Sequence, residues 1–182
     1  MRSSNPLPPL LLFLFLFLFL HPLSSLANTC LIEDTCKHIT AARPNIGYDF
    51  CIQSFNSDQE SLSADAHRLA VIATRLANSS AVKTESKINE LIEAESKPST
   101  KDQLGVCSDV YSDAIDHLGN AARDIEARSY HDAMTFLSAA LDAAENCEDA
   151  FEEAAVAPSP LEREDGEYGR LADMALAITA SL

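Results

Sequence analysis

Two stretches of the sequence, 104–125 and 133–151, share one pattern of apolar residues. In each, apolar residues recur in alternating steps of three and four, and one cysteine falls within the series. The residues are Leu104, Cys107, Tyr111, Ala114, Leu118, Ala121 and Ile125 in the first stretch, and Ala133, Leu137, Ala140, Ala144, Cys147 and Phe151 in the second. This spacing places them along one face of a helix, so both stretches are predicted to be amphipathic helices. The short connection at 128–130 then allows only an antiparallel hairpin.

An antiparallel hairpin brings the two cysteines to the same level. Cys107 lies near the start of the first helix and Cys147 near the end of the second, so we predict that they are bonded. Closing a loop of about 40 residues would stabilise the fold by roughly 4 kcal/mol on the chain-entropy estimate.

The N-terminus carries the features of a secretory signal. Arg2 is followed by an unbroken run of Leu and Phe at 10–20. Such a run rises about 16 Å as a helix, which is well short of the roughly 30 Å hydrocarbon core of a membrane. Ser25 and Ala27 are the small residues expected before a signal-peptidase cut, so we predict a signal peptide at 1–27 and a mature chain that begins at Asn28. A secreted chain enters a compartment in which disulfides persist.

Composition predicts an all-α protein. Trp is absent, Gly is scarce, and no β-branched or aromatic run alternates over enough residues to form a strand. By length, 28–182 is one domain, which we divide into a helical hairpin at 28–56 and an up-down-up-down four-helix bundle at 57–182. The formal net charge of −15 argues against nucleic acid or anionic lipid as a partner.

The ends of the bundle helices are predicted from capping patterns. Ser57 with Glu60 forms a capping box before the first long helix, whose inward residues include Leu62. Ser99 with Asp102 caps the second in the same way. The prolines at 158 and 160 make a turn, so the last helix is expected from about Glu167, with an inward series that ends at Leu182.

The hairpin needs a covalent link because it is too small to bury much surface. Cys36 and Cys51 flank its turn, and a bond between them is the expected device. Cys30 is left over, close to the predicted mature N-terminus. Five cysteines can form two bonds in about fifteen ways, so spacing alone leaves the pairing open.

A search for chemistry finds no catalytic, cofactor or metal motif. There is no phosphate-binding glycine loop, serine elbow or zinc-protease helix, and the histidines at 38, 67, 117 and 131 fall on separate segments without partners at metal spacing. We therefore predict that the protein is not an enzyme and holds no cofactor.

One surface of the 104–125 helix is acidic. At about 100° per residue from Cys107, Asp109, Asp113, Asp116 and Asn120 fall near 200°, 240°, 180° and 220°, opposite the apolar stripe. These four residues form what we call the acidic ridge, in which Asp109, Asp113 and Asp116 supply the carboxylates. A solvated helix face is the simpler explanation of the ridge. Like charges without an intervening cation repel one another, which shifts the balance toward a binding surface without deciding it.

The residues around the cysteines resemble the plant invertase and pectin methylesterase inhibitor family. The resemblance is carried by the segment 107–119, by Ser138-Ala-Ala-Leu, by Cys147-Glu-Asp-Ala-Phe, and by the early segment from Thr35-Cys36 to Asp49-Phe50-Cys51. It covers essentially all of the predicted mature chain. It implies a four-helix bundle with an N-terminal helical hairpin and disulfides that pair Cys36 with Cys51 and Cys107 with Cys147.

The resemblance also implies a function and a target. Invertase inhibitors of this family carry a Pro-Lys-Phe turn before the third bundle helix, and here that turn is replaced by Tyr130-His131-Asp132. The ridge resembles the pectin methylesterase inhibitors, in which this helix and its neighbour cover the pectin-binding cleft of the enzyme. Asp109, Asp113, Asp116 and Asn146 carry over as partner contacts. The expected protein is an apoplastic inhibitor of pectin methylesterase. An acid invertase inhibitor, a non-inhibitory signalling bundle and a secreted enzyme remain as alternatives.

One modification site is predicted by pattern. Asn78-Ser79-Ser80 is a glycosylation acceptor, and Asn78 lies about 200° around the helix from Leu76, so its side chain is expected to be exposed.

Overall fold

The computed structural model describes residues 30–155 and 158–182. The predicted signal peptide at 1–27 and the predicted cleavage before Asn28 lie outside these residues. All regular secondary structure formed by the described residues is helical. None of these helices is both long enough and apolar enough to cross a membrane.

The helices follow one another with short connections. The described part of α1 spans 30–42, and a 3-10 helix lies between α2 and α3. The remaining helices are α2 at Tyr48–Asn56, α3 at Ala66–Ala94, α4 at Pro98–Glu126, α5 at Tyr130–Glu153 and α6 at Glu162–Thr179, with the 3-10 helix at Gln59–Ser63. Each long helix packs against the next, and α6 closes the ring by packing against α3. The all-α fold and the up-down-up-down bundle are therefore confirmed.

The apolar stripes form the core. All seven residues of the predicted stripe on α4 are buried, and so are five of the six on α5. Ala144 is the exception, being half-buried while Ala143 is buried in its place. Leu182 and Leu62 were predicted to face inward, but they are 42% and 44% exposed. Leu182 lies beyond the end of α6, and Leu62 lies in the 3-10 helix, so neither follows the periodicity of the adjoining bundle helix.

Both capping predictions were wrong. Residues 59–63 form the 3-10 helix, and the N-cap of α3 is Asp65, whose carboxylate accepts a hydrogen bond from the Arg68 amide at 2.8 Å. α4 begins at Pro98, whose fixed φ suits the first helical position and whose missing N–H costs nothing there. α6 begins at Glu162, earlier than the predicted Glu167, because the turn after Pro160 is complete by Leu161.

Two disulfides hold the fold. Cys107 and Cys147 join α4 to α5 with their Cα atoms 4.6 Å apart, and Cys36 and Cys51 join α1 to α2 with a Cα separation of 5.8 Å. This is the pairing that the family resemblance implied. Cys30 is free and exposed.

A polar contact fixes the hairpin on the bundle. Asp173 of α6 is buried, and its carboxylate forms an ion pair with Arg43 and accepts a hydrogen bond from Asn45 Nδ2 at 2.7 Å. Arg170, one turn earlier on α6, places its guanidinium carbon 4.0 Å from the centre of the Phe50 ring on α2. The loop that carries Arg43 and Asn45 turns into α2 at Gly47, whose φ of 78° strains any other residue. The position of the hairpin thus depends on contacts with α6.

The disulfide between α4 and α5 should dominate stability. Replacing Cys107 and Cys147 by Ala opens a loop of 40 residues. We expect a loss of about 4 kcal/mol and a thermal midpoint lower by roughly 10 °C. The same change at Cys36 and Cys51 opens a loop of 15 residues and should cost about 3 kcal/mol. Cys30→Ala is the control and should leave the melting curve unchanged. A peptide map in which Cys30 is bonded to Cys147 would contradict the assignment.

Removing the carboxylate of Asp173 should loosen the hairpin alone. Arg43 is 35% exposed, so its charge can rehydrate, and the expected loss is that of hydrogen bonds to a charged group, about 2 kcal/mol. In Asp173→Ala, amide hydrogen exchange at 43–56 should accelerate about tenfold or more while exchange in α4 and α5 stays the same. Glu167→Ala, an exposed change in the same helix, is the control. Unchanged exchange at 43–56 would show that other contacts hold the hairpin.

Candidate interaction surface

The acidic ridge lies on the solvent face of α4. Burial of the stripe from Leu104 to Ile125 turns Asp109, Asp113 and Asp116 outward, and all three are exposed. In the part of the chain that the structure describes, none of them forms an ion pair or a side-chain hydrogen bond. Asn120, at the end of the series, is half-buried, and its side-chain oxygen accepts a hydrogen bond from Arg123. The ridge therefore offers three carboxylates without an intramolecular partner.

The disulfide brings α5 to the edge of this surface. Asn146 precedes Cys147 directly and is exposed, and Asp109 follows Cys107 by two residues. Because the Cα atoms of the two cysteines are 4.6 Å apart, Asn146 and Asp109 lie at the same level of the bundle. The structure thus places Asp109 and Asn146 at one level on two adjacent helices, and Asp113 and Asp116 follow about one and two turns further along α4.

Apolar groups beside the ridge were missed by the sequence analysis. Val106 is 42% exposed and lies one turn before Asp109 on the same side of α4. Between α4 and α5, the half-buried rings of His117 and Phe136 pair at a centroid distance of 5.9 Å. The exposure of Val106 could have been predicted from the sequence, because the helical periodicity places this residue outside the buried stripe. Val106 therefore adds an exposed apolar side chain at the edge of the acidic ridge.

The turn between α4 and α5 forms a second surface at the far end of the helix pair. Arg128 has a φ of 61°, and Tyr130 begins α5. The Tyr130 hydroxyl lies 3.0 Å from His67 Nδ1 and accepts a hydrogen bond from Arg128 Nη1 at 3.3 Å. The neighbouring His131 and Asp132 are exposed. The turn is therefore fastened to the start of α3.

A network of charges supports that end of the bundle. Arg68 bridges Glu126 of α4 and Glu60 of the 3-10 helix at 3.0 and 2.7 Å, and Arg75 reaches Asp58 at 2.5 Å. A hydrogen bond from Arg68, and a weaker contribution from that of Arg75, lower the pKa of Glu60 below its usual value. Except for the half-buried Asp58 and Arg68, these side chains are exposed, so the network orients the 3-10 helix more than it stabilises the fold.

The expected exposure of Asn78 was wrong. Its side chain is half-buried, and Nδ2 donates a hydrogen bond to the Ile115 carbonyl of α4 at 3.3 Å. A glycan is attached through this nitrogen, so glycosylation requires the amide to turn away from α4.

Comparison with known proteins identifies the family. The model of the plant invertase/pectin methylesterase inhibitor family matches residues 30–178, and the chain belongs to this family. It is 34% identical over 157 residues to a Platanus orientalis protein named "Putative invertase inhibitor", covering 86% of this chain and 92% of that protein. It is 34% identical over 129 residues to the pectinesterase inhibitor of Actinidia deliciosa, covering 71% and 70%. The crystal structure of mutant form A of a pectin methylesterase inhibitor from Arabidopsis matches with a TM-score of 0.65 and 25% identity, covering 74% of this chain and 89% of that one.

Membership settles the class of protein. Members of this family are inhibitor proteins and not enzymes, as the sequence predicted. The fold and the two disulfides agree with the family assignment. Because its relatives are named for two different targets, the target of this chain is a separate question.

Proposed function

We propose that this protein is a secreted inhibitor of pectin methylesterase that covers the pectin-binding cleft of the enzyme with α4 and α5 in a stoichiometric complex. The observation that carries the proposal is the acidic ridge, three exposed carboxylates that no cation of the described chain neutralises. Asn146 and Val106 extend the same surface. The leader predicted at 1–27 supports delivery to the cell wall, where the substrate of that enzyme is found.

Inhibition by this surface needs no chemistry from the inhibitor. A bundle held by two disulfides presents its helices in a fixed orientation, so docking orders few side chains and no backbone. Carboxylates that become desolvated against donors at the rim of the cleft form hydrogen bonds worth about 1.5 to 3 kcal/mol each. Two such contacts account for a large share of the binding free energy of a strong complex. The bound inhibitor then blocks the enzyme by occluding its cleft.

The ridge can be tested without disturbing the fold. Asp113→Ala with Asp116→Ala removes two exposed side chains, so helicity and melting should stay nearly constant while the dissociation constant of the complex rises at least tenfold. Calorimetric titration of a pectin methylesterase with the purified inhibitor measures that constant.

Two controls separate the ridge from net charge. Glu90→Ala with Glu93→Ala removes the same charge from exposed positions on α3, and Asp124→Ala removes one carboxylate near the end of α4. Both should bind within about twofold of the parent. If the ridge variant also binds within twofold, the ridge is only a solvated face and the contact surface must be sought on α5.

Inhibition of acid invertase is the second candidate. This candidate is favoured by the name of the Platanus orientalis relative. The match covers 92% of that protein, compared with 70% of the Actinidia deliciosa protein. The turn that begins α5 is the surface concerned, and there Tyr130, His131 and Asp132 stand in place of the Pro-Lys-Phe plug. An invertase inhibitor of this kind would use the exposed His131 and Asp132 of that turn, because the Tyr130 hydroxyl already contacts His67 and Arg128.

A pair of activity assays discriminates the two targets. Because the plug is missing, the mature chain should leave acid invertase active at concentrations that block pectin methylesterase. Tyr130→Ala and His131→Ala should not change inhibition of pectin methylesterase, since both lie at the far end of α5 from Cys147. If invertase is blocked instead, and these two variants relieve the block, the target assignment is wrong and the turn is the inhibitory surface.

A further inference from the structure

Two carboxyl groups, those of Asp165 and Glu148, meet where the start of α6 packs against α5. Asp165 lies in the first turn of α6 and is 3% exposed, and Glu148 lies on α5, one residue after Cys147. Neither residue forms a salt bridge in the described part of the chain. Glu148 is half-buried, whereas Asp165 is buried without a cation, which is unusual because an ionised carboxylate loses its hydration on burial.

The hydrogen bonds of this pair are incomplete. Asp165 Oδ1 accepts a hydrogen bond from the Tyr111 hydroxyl of α4 at 2.5 Å. Asp165 Oδ2 and Glu148 Oε1 are both fully buried, and the described chain offers no donor to either of them. An ionised carboxylate only accepts hydrogen bonds, whereas a protonated one also donates. One proton between Oδ2 and Oε1 satisfies both oxygens at once.

We propose that Glu148 and Asp165 share one proton, and that this proton is a pH-sensitive lock that fastens the start of α6 to α5. In the locked state one carboxyl donates to the other, and Tyr111 donates to the far oxygen of Asp165. When the proton leaves, the buried oxygens Asp165 Oδ2 and Glu148 Oε1 face each other as negative charges, and the contact between α5 and α6 weakens.

The surrounding groups favour the shared proton. Tyr168, which stacks edge-on against Tyr111 at a centroid distance of 5.0 Å, donates its hydroxyl to the Ala140 carbonyl. From α6 itself, Glu164 adds negative charge. From α3, Lys83 and Lys87 line a surface cleft together with Arg163 and Glu164, and no salt bridge links either lysine to Asp165 within the described residues. The dipole at the N-terminus of α6 favours an ionised Asp165, but burial and the neighbouring carboxyls of Glu148 and Glu164 outweigh this effect.

The protonation equilibrium follows this geometry. Burial is the largest cause that raises the pKa of Asp165. The hydrogen bond from Tyr111 lowers this pKa, whereas the Glu148 carboxyl and the charge of Glu164 raise it further. The pKa of Asp165 reaches about 8. An unfolded aspartate titrates near pH 4, so the folded chain binds more protons between about pH 4 and pH 8. The stabilisation is complete below this range and is lost as pH rises through it. Burial also raises the pKa of Tyr111, so the tyrosine stays a donor throughout.

Isosteric amides test the lock. In Asp165→Asn the side-chain nitrogen can donate permanently to Glu148, while Oδ1 still accepts from Tyr111. Between pH 5 and pH 8, at constant ionic strength, the thermal midpoint of the parent should fall by at least about 5 °C more than that of Asp165→Asn. Glu148→Gln, which can donate to Asp165 and leave it ionised, should flatten the curve in the same way and serves if the first variant does not fold. Glu145→Gln, an exposed change on α5, should follow the parent.

Infrared spectroscopy reads the proton directly. At pH 7 the parent should show the carbonyl band of one protonated carboxylic acid, and Asp165→Asn should lack it. Amide exchange at 162–170 should be faster in the parent than in Asp165→Asn at pH 8, and equal at pH 5. Parallel melting curves for the parent and both amide variants, or no carboxylic acid band at pH 7, would overturn the proposal.

Discussion

The close contact between α4 and α5 is the constraint on which the rest of the structure depends. Small residues along both stripes, including Ala114, Ala121 and Ala140, leave little between the helices, and the bond from Cys107 to Cys147 holds their Cα atoms 4.6 Å apart. A helix held in this way cannot roll about its axis without exposing its stripe. The direction of the acidic ridge is therefore set by the core, which is why a solvent-facing row of carboxylates keeps a fixed geometry without contacts of its own.

The same periodicity explains how much of the fold could be predicted. Over a long helix the apolar repeat has only one interpretation, and every stripe residue of α4 is buried as expected. Helix starts were less predictable because several local patterns compete within a few residues. Ser57 with Glu60 matches a capping box, yet Asp65 lies directly before the long helix and caps it, and Asp58 caps the 3-10 helix that fills the gap. Pro98 similarly outweighs Ser99 at the start of α4, because its backbone is already in the helical conformation.

Exposure at the candidate site was predictable only where the core fixes it. The ridge lies opposite a buried stripe, so its three aspartates had to face solvent. Asn78 was judged by its angle from Leu76 alone, and that angle contains no information on where the next helix lies. In the structure α4 comes within hydrogen-bonding distance, and the amide is half-buried against Ile115. Val106 shows the converse, because this apolar residue off the stripe was overlooked although its side chain is 42% exposed.

The two buried aspartates of α6 show why composition gives little guidance on the interior. Asp173 and Asp165 are similarly buried, but Asp173 meets the guanidinium of Arg43 and the amide of Asn45, whereas Asp165 meets a hydroxyl and another carboxyl. The first contact requires a charged aspartate and the second a shared proton. The same side-chain type on one helix therefore makes two different kinds of contact, one with a cation of the hairpin and the other with an acid of α5.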